Sequence, residues 1–393
     1  MPATSGADTG EGQTMNRTRM LASPRLAFAG LVLAALGGPG PAPARPANRP
    51  AVAAAACPSQ GGLEALCGPV AVEDLVPLPG TPWLLGGELN VGRPPQLVAV
   101  DARGPSWRAV FPDAAGPAVD PAFRASADCP GPPDFARMSL SGVAFRAQGP
   151  GTGTFLAANT GDRRAVERFA VRLAGAVPRL AWSGCLVLPP HTEPNAVAAL
   201  PGGRVTVSSF FDPDDAEAWA KMDRGEPMGR VLVWTPGRGF APLDLAPGGV
   251  PLSGPNGLET SADGATLYVS DWGGKRLVIA DPAGRRPPRA IALDFLPDNI
   301  RRLSGSDARG RLLVGGQRAR PLAIHACTGP ACPQDWVIAL VDPARGLVRD
   351  LVARKGTPAV SYAASGVLDR GTLFITARSN AMILYRRGFT LPR

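Results

Sequence analysis

Histidine is nearly absent from this sequence of 393 residues, in which only His191 and His325 occur. Two histidines leave little room for a Ser-His-Asp triad, and the chain has no Gly-x-Ser-x-Gly elbow. The six cysteines form no Cys-x-x-Cys pair, because the closest two, Cys327 and Cys332, stand in the segment CTGPAC. The sequence therefore argues against covalent serine chemistry and against a zinc or thiol redox site of the Cys-x-x-Cys type.

Charged residues are also scarce, at 19% of the chain against 45% hydrophobic residues, which suits a large buried core and not a disordered protein. The formal net charge is +9, but residues 1–56 contain five arginines against Asp8 and Glu11, so the remainder carries about +6. The remaining arginines are scattered, with no basic run interleaved with aromatic residues. A nucleic-acid partner is therefore not expected, and a solvated basic surface explains the charge.

The N-terminal region has no apolar run long enough to span a membrane, because residues 26–36 give about half of the roughly 20 residues required. Three arginines precede this run: Arg17, Arg19 and Arg25. A Pro/Ala-rich stretch follows it and ends at Cys57. We predict that residues 1–56 are a secretory signal with a Pro/Ala-rich linker, and that the processed chain is periplasmic or secreted with no transmembrane span. Lipid modification of Cys57 is the alternative, although no leucine lies three residues before it.

The six cysteines of an exported chain favour disulfides over free thiols. Fifteen pairings are formally open for six cysteines. Short separations favour Cys57 with Cys67 and Cys327 with Cys332, which leaves Cys129 with Cys185.

A pattern of alternating apolar strands and Gly- or Asp-rich turns recurs from Glu73 onward. The 48 glycines and 44 prolines of the chain suit many short strands joined by turns. The clearest copy is GPNGLETSADGATLYVSDWGGKRLVIADPAG, in which Asp263-Gly264 has the chemistry of a tight hairpin turn. Six copies predict an all-β fold, a six-bladed β-propeller occupying residues 57–393.

Two insertions interrupt this repeat. Residues 212–229 have a helix-compatible composition, and residues 318–334 include His325 and the two nearby cysteines. Loops on one face of a propeller commonly determine which molecule it binds. We expect the first insertion to cover one side of the mouth of the ring.

The polar starts of several blades share an unusual signal, a proline followed by Asn or by Asp-Asn. It occurs as Pro194-Asn195, Pro255-Asn256 and Pro297-Asp298-Asn299, and Glu73 stands at the first blade start. The first strand of each blade lines the central channel, so oxygen atoms at matched positions would converge on the axis. Two carboxylates and three amides suit Ca²⁺ better than Zn²⁺. The alternative for each asparagine is that it only begins a turn.

Several segments resemble the paraoxonase/arylesterase family and, more distantly, strictosidine synthase-like and gluconolactonase propellers. These segments are EDLVPLPG, EPNAVAALPGG, GPNGLETSADGATLYVSDW, LPDNIRRLSG and SYAASGVLDRGTLFITARSNAMILYR. The Glu-Asp at the first blade start and the Asp-Asn at the fifth favour the paraoxonases over the other relatives. The resemblance implies that the catalytic calcium ligands are Glu73, Asn195, Asn256, Asp298 and Asn299.

The resemblance also implies features that the sequence only partly provides. The family has a second, buried calcium, for which Asp74 is present, but Ala196 stands where an aspartate is expected. The histidines of the family's proton relay are absent, since the corresponding segments read Ser141-Gly142-Val143 and Ala158-Asn159-Thr160, and Gln317 stands at a third position. His191 is close to Asn195 in sequence, but we interpret it as a turn residue.

The function implied by the resemblance is calcium-dependent hydrolysis of a small-molecule lactone or ester. The ion would polarise the carbonyl group for attack by water, with Glu73 or Asp298 as the base. Two alternatives are a strictosidine synthase-like or gluconolactonase-like enzyme with another substrate, and a non-catalytic binding propeller that a metal stabilises. The sequence identifies neither the natural substrate nor the oligomeric state.

Overall fold

A computed structural model describes residues 59–149, 151–174, 177–245, 250–305, 310–327, 333–378 and 381–392. Residues 1–56, for which we predict a signal and a linker, lie outside these ranges. No helix in the described ranges has the length and apolar character needed to cross a membrane.

The described chain forms six antiparallel sheets of four strands each, which are the blades of the predicted propeller. Blade 1 contains β2 (Val72–Pro77), β3 (Trp83–Glu88), β4 (Leu97–Asp101) and β5 (Ser106–Phe111). Blade 2 contains β6 (Leu140–Gly149), β7 (Thr152–Asn159), β8 (Ala165–Ala174) and β9 (Val177–Val187). Blade 3 contains β10 (Pro194–Ala199), β11 (Val205–Ser209), β12 (Arg230–Thr235) and β13 (Gly239–Pro242).

The remaining three blades follow the same order from the inner to the outer strand. Blade 4 contains β14 (Pro255–Thr260), β15 (Leu267–Asp271), β16 (Arg276–Ala280) and β17 (Arg289–Ala292). Blade 5 contains β18 (Leu296–Arg302), β19 (Leu312–Gln317), β20 (Trp336–Asp342) and β21 (Leu347–Arg354). Blade 6 contains β22 (Ala363–Asp369), β23 (Thr372–Ala377), β24 (Met382–Arg386) and, as its outer strand, β1 (Glu64–Cys67).

The strand β1 closes the ring. It pairs antiparallel with β24, so that Glu64 lies opposite Tyr385 and Cys67 opposite Met382. The inner strand of each blade contacts the inner strands of its two neighbours, and β22 of blade 6 returns to β2 of blade 1. The prediction of an all-β six-bladed propeller is therefore confirmed, although the repeat that begins at Glu73 does not include β1.

The hydrophobic core lies between neighbouring blades. Between blades 1 and 2, for example, the ring of Phe111 meets that of Phe169 edge to face with centroids 5.0 Å apart, and both side chains are almost fully buried. Such contacts are absent from an isolated sheet, because each blade needs its neighbours to bury its faces. The blades therefore stabilise one another, and the ring holds the inner strands in fixed positions.

The two insertions carry short helices that contact each other. Helix α1 (Ala218–Asp223) lies in the first insertion and α2 (Pro321–His325) in the second. The ring of Trp219 stacks on His325 with centroids 4.6 Å apart, and Asp223 forms an ion pair with Arg320. The helix composition predicted for residues 212–229 is thus observed in part of that segment. A short 3-10 helix (Pro201–Gly203) joins β10 to β11.

The cysteines of the described chain are bonded. Cys129 and Cys185 form the predicted disulfide, with Cα atoms 5.1 Å apart. Cys67 and Cys327 each take part in a further disulfide. Cys57 and Cys332, which we predict as their partners, lie outside the described residues, so these two pairings stay predictions.

Replacing both Cys129 and Cys185 by serine should lower the free energy of unfolding. The bond closes a loop with a sequence separation of 56 residues, and the entropy of such a loop corresponds to about 4 kcal/mol. Denaturant titration of the oxidised wild type and of the double variant measures the difference. The single variants leave one free thiol each and serve only to detect mispairing. Equal midpoints for the two proteins would contradict the prediction.

Candidate metal centre

A β-bulge interrupts the inner strand of every described blade at a matching place. The register shifts fall between Val72 and Asp74, Leu140 and Val143, Pro194 and Val197, Pro255 and Leu258, Pro297 and Ile300, and Ala363 and Ser365. A bulge leaves extra residues unpaired and redirects their side chains. In four blades the unpaired residues include the predicted ligands, so the bulges account for side chains that turn out of the sheet.

Four of the five predicted ligands line one cavity of about 160 Å³: Glu73, Asn195, Asn256 and Asp298. They come from β2, β10, β14 and β18, which belong to four different blades. Asn299 does not line this cavity; it is 1% exposed and follows Asp298 in the same bulge. The structure therefore brings four of the predicted residues together and places the fifth beside them.

The inner strands of blades 4 and 5 are closely packed at their bulges. A Cβ atom at Gly257, the residue after Asn256, would lie only 2.3 Å from the carbonyl oxygen of Asp298. A glycine is needed here because the inner strands of blades 4 and 5 approach each other at the two bulges. This contact holds Asn256 and Asp298 at neighbouring positions around the axis.

Hydroxyl groups fix the backbone of three ligand residues from the preceding blade. Ser141 donates to the carbonyl of Asn195 at 2.6 Å, Ser208 to that of Asn256 at 2.6 Å, and Thr376 to that of Glu73 at 2.7 Å. Each bond joins one blade to the next around the ring. The ligand positions are thus rigid, which favours a binding site formed in advance of its ligand.

Three oxygen atoms at this site are buried and have no hydrogen-bond partner within the described residues: Asn195 Oδ1, Asn256 Oδ1 and Asp298 Oδ1. An unpaired buried acceptor costs about 1 to 3 kcal/mol, so three on one cavity form an arrangement that a bound cation would satisfy. The amide nitrogen of Asn299, in the same bulge as Asp298, is also buried with no hydrogen-bond partner among the described residues. This set of carboxylate and amide oxygens fits a hard divalent cation such as Ca²⁺.

The carboxyl groups of Glu73 and Asp298, two of the three that line the cavity, are strongly perturbed. Burial raises the pKa of Glu73 to about 7, with the Arg378 guanidinium acting in the opposite direction and Asp74 adding to the rise. Burial also raises the pKa of Asp298 well above its usual range, and the charge of Glu73 raises it further. Without a cation the two groups cannot both ionise at low cost, which again favours a positive ion between them.

Gln317 orients Asp298. Its Nε2 donates to Asp298 Oδ2 at 2.8 Å and to the carbonyl of Ala363 at 3.1 Å, and its Oε1 accepts from the Trp272 indole at 3.1 Å. The amide therefore holds one carboxylate oxygen and leaves Oδ1 unpaired. In the sequence, Gln317 stands out only because it occupies the position of a family histidine. No sequence pattern indicates that it orients Asp298.

An aromatic wall forms one side of the cavity. It consists of Phe210, Phe211, Trp219, Trp272 and Tyr362, and Ile324 of α2 lines the same cavity. The ring centroids of Phe210 and Trp272 are 5.4 Å apart, and those of Trp219 and Trp272 are 6.0 Å apart. The two insertions contribute Trp219 and Ile324 to this apolar surface, and the other rings come from the loops that follow or precede the strands of the blades. Such a surface beside polar groups is expected for a site that takes a partly apolar molecule.

Two further charged residues line the cavity, Glu193 and Arg378. Arg164 holds Glu193 in an ion pair at 2.6 Å. Arg378 is exposed, and no hydrogen bond or ion pair of its guanidinium is found within the described part of the chain. Its charge nevertheless lowers the pKa values of Glu73, Glu193 and Asp298.

The two histidines lie away from the polar floor. His191 is in an exposed turn with φ of 58°, and its Nδ1 lies 2.9 Å from Asp214 and 3.3 Å from Asp212. It does not line the cavity, in agreement with its interpretation as a turn residue. His325 stacks on the outer side of the aromatic wall. Neither histidine is placed to act as a base beside Glu73.

No family model matches the chain, and no curated protein matches it. Solved structures do match. A glucose dehydrogenase is 13% identical, over 84% of this chain and 99% of that one, with a TM-score of 0.48. A protein assigned as a gluconolactonase is 16% identical, over 85% and 96%, with a TM-score of 0.47. The calcium-binding protein regucalcin from Agrobacterium tumefaciens is 13% identical, over 81% and 90%, with a TM-score of 0.45. These likenesses concern the propeller fold alone.

Proposed function

We propose that the protein is a calcium-dependent hydrolase of lactones or esters. The observation that carries the proposal is the set of buried, unpaired oxygens of Asn195, Asn256 and Asp298 on one cavity with Glu73. Calcium would be held by these four residues, with Asn299 as the fifth ligand. When bound, it would supply a Lewis acid that polarises the substrate carbonyl and stabilises the developing oxyanion.

Other residues of the cavity would bind the substrate, orient a metal ligand and provide the base. The aromatic wall would bind the apolar part of the substrate and exclude water from most of the cavity. Gln317 would keep Asp298 oriented through its Oδ2 bond. Glu73 is the best candidate for the base that takes a proton from the attacking water, because its carboxyl group lines the same cavity as the unpaired oxygens and could turn from the ion toward the water. Asp298 is the alternative base.

The charge of the cavity favours an anionic substrate. A divalent cation would neutralise Glu73 and Asp298, and Arg164 already neutralises Glu193. Arg378 then remains as one uncompensated positive charge on the cavity wall. A guanidinium recognises carboxylates well, so we expect lactones or esters that carry a carboxylate to bind better than neutral ones.

Arg378→Met should raise KM for a carboxylate-bearing lactone by roughly 10-fold, the usual size for losing a charge-assisted hydrogen bond. For a neutral lactone of similar size, KM should stay within about twofold because no such bond is lost. Steady-state kinetics on the two substrates measure the split, and Arg349→Met, an exposed residue on β21, is the matched control. An equal change of KM for both substrates would contradict the role of Arg378.

A panel of lactones and aryl esters, assayed with calcium and with a chelator, tests the function itself. Turnover that requires calcium is expected for at least one compound class. The competing hypothesis is a non-catalytic binding propeller, which the absence of histidine from the polar floor favours. Calcium-dependent stabilisation without any turnover across the panel would support that hypothesis and reject the hydrolase.

Export is part of the proposal. Disulfides persist in oxidising compartments. The Cys129–Cys185 bond is consistent with export to such a compartment. We expect a mature N-terminus between about residues 44 and 57, since a small-residue cleavage region follows the apolar run. Intact mass spectrometry of periplasmic and medium fractions measures it. An unprocessed chain confined to the cytoplasm would contradict this prediction.

A further inference from the structure

A buried arginine crosses the central channel beneath the candidate metal centre. Arg301 belongs to β18 of blade 5, and its side chain is only 6% exposed. Its Nε donates to the carbonyl of Leu75 at 2.6 Å, and its Nη2 donates to that of Val143 at 2.7 Å. Leu75 belongs to blade 1 and Val143 to blade 2. Blades 5 and 2 are opposite each other in a ring of six, so the guanidinium must reach the axis.

The partner of this guanidinium is Asp74. Arg301 Nη2 donates to Asp74 Oδ2, which also accepts from the backbone N–H of Val143 at 3.0 Å. The other oxygen, Oδ1, accepts from the backbone N–H of Leu75 at 2.9 Å. Asp74 is 1% exposed and directly follows Glu73. Both oxygens of this carboxylate are therefore bonded, in contrast to the unpaired Oδ1 of Asp298.

The second, buried calcium that the family resemblance implies does not fit this arrangement. Asp74 would be one of its ligands, but its carboxylate already binds a fixed cation, and Ala196 provides no second carboxylate. The charges also balance with one ion only. Glu73, Asp74 and Asp298 carry three negative charges, which one divalent ion and the Arg301 guanidinium neutralise. A second divalent ion would place two further positive charges in a buried channel, which is costly.

We infer that Arg301 is a built-in cation that takes the place of a second metal ion, so that the propeller binds a single axial calcium. Arg301 also lines the separate cavity of about 730 Å³ at the other ends of the inner strands, together with Val76, Val197 and Leu258. Its guanidinium thus lies between that cavity and the metal centre. By joining blades 1, 2 and 5 it holds β2, and with it Glu73, at the axis.

The ion count of the unmodified protein is the first test. After removal of bound metal with a chelator and dialysis, isothermal titration with calcium should give one site per chain, and elemental analysis of the reloaded protein should give the same ratio. Two calcium ions per chain, or none, would overturn the inference. This measurement does not depend on turnover, so its outcome is separate from that of the hydrolase proposal.

Variants of the ion pair are the second test. Arg301→Met should lower Tm by roughly 10 °C, because it leaves Asp74 buried without its partner. Arg302→Met, at the adjacent exposed position, should change Tm by no more than about 1 °C. Adding Asp74→Asn to Arg301→Met should recover part of the loss, since no unpaired charge then remains. Arg301→Lys retains the charge and should lie between the wild type and Arg301→Met.

Each result on these variants either supports or overturns the inference. A gain of a second, weaker calcium site in Arg301→Met would support the inference, because calcium would then replace the lost guanidinium. An unchanged Tm in Arg301→Met, or an additive loss in the double variant, would overturn it. If Arg301→Met does not fold, the ion count of the wild type and the Tm of Arg301→Lys and of the double variant still decide.

Discussion

Replacing Asp298 by alanine is expected to abolish the calcium-dependent rise in Tm and to reduce turnover by at least roughly 100-fold. Even residues that only orient a metal ligand typically cost 10- to 100-fold when they are lost, and Asp298 is proposed as a ligand itself. Asp298 also carries one of the two carboxyl groups among the proposed ligands. Thermal melts with calcium and with a chelator, together with steady-state kinetics, measure the two effects.

A matched control is available in the loop that leads into the same strand. Asp294 lies four residues earlier, is exposed, and pairs with Arg318 on the surface, so Asp294→Ala should leave both calcium binding and turnover near wild type. Asp298→Asn keeps an oxygen but removes the charge, and we expect an intermediate loss. If Asp298→Ala melts with the full calcium-dependent increase, the ion does not bind at this position and the whole functional proposal fails.

The fold could be predicted because its signals are local. Each hairpin is specified by a few neighbouring residues, such as Asp263-Gly264, where Asp263 caps the turn and Gly264 adopts a positive φ. The outer strands are harder to predict, since β17 is mostly exposed and lacks alternation. The closing strand β1 pairs with residues more than 300 positions away, as the Tyr385–Glu64 hydrogen bond illustrates, and no local pattern reveals such a contact.

The candidate site could be predicted only where its residues recur at matched places. Proline followed by Asn marks a bulge in several inner strands, and this repetition points to the ligands. Gln317, Arg301 and Arg378 have no such repetition. Arg301 reaches Leu75 across 226 residues, and the role of such a residue depends on which blades the ring brings together. The sequence alone therefore does not show the role of a polar residue that occurs only once. That role becomes clear when the arrangement of the blades in the ring is known.

The stability of the calcium-free protein should fall as the pH rises from about 4.5 to about 7. Glu73 has a pKa of 4.5 when it is not perturbed and of about 7 in the fold, chiefly because it is buried. Between these values the folded state keeps a proton that the unfolded state has released, so raising the pH favours unfolding. The difference corresponds to roughly 3 kcal/mol for Glu73 alone. The raised pKa of Asp298 acts in the same direction.

Calcium should reverse this dependence, because the ion binds the ionised carboxylates. The increase in Tm caused by calcium should therefore be small near pH 5 and should grow through pH 7, and melts at half-unit steps with calcium or chelator measure it. Taking the difference between the two conditions cancels carboxyl groups elsewhere on the surface. Glu73→Gln removes one titrating group, so its chelated form should lose less stability over the same interval. A calcium effect that does not change with pH, or one that is largest at pH 5, would show that Glu73 and Asp298 do not bind the ion.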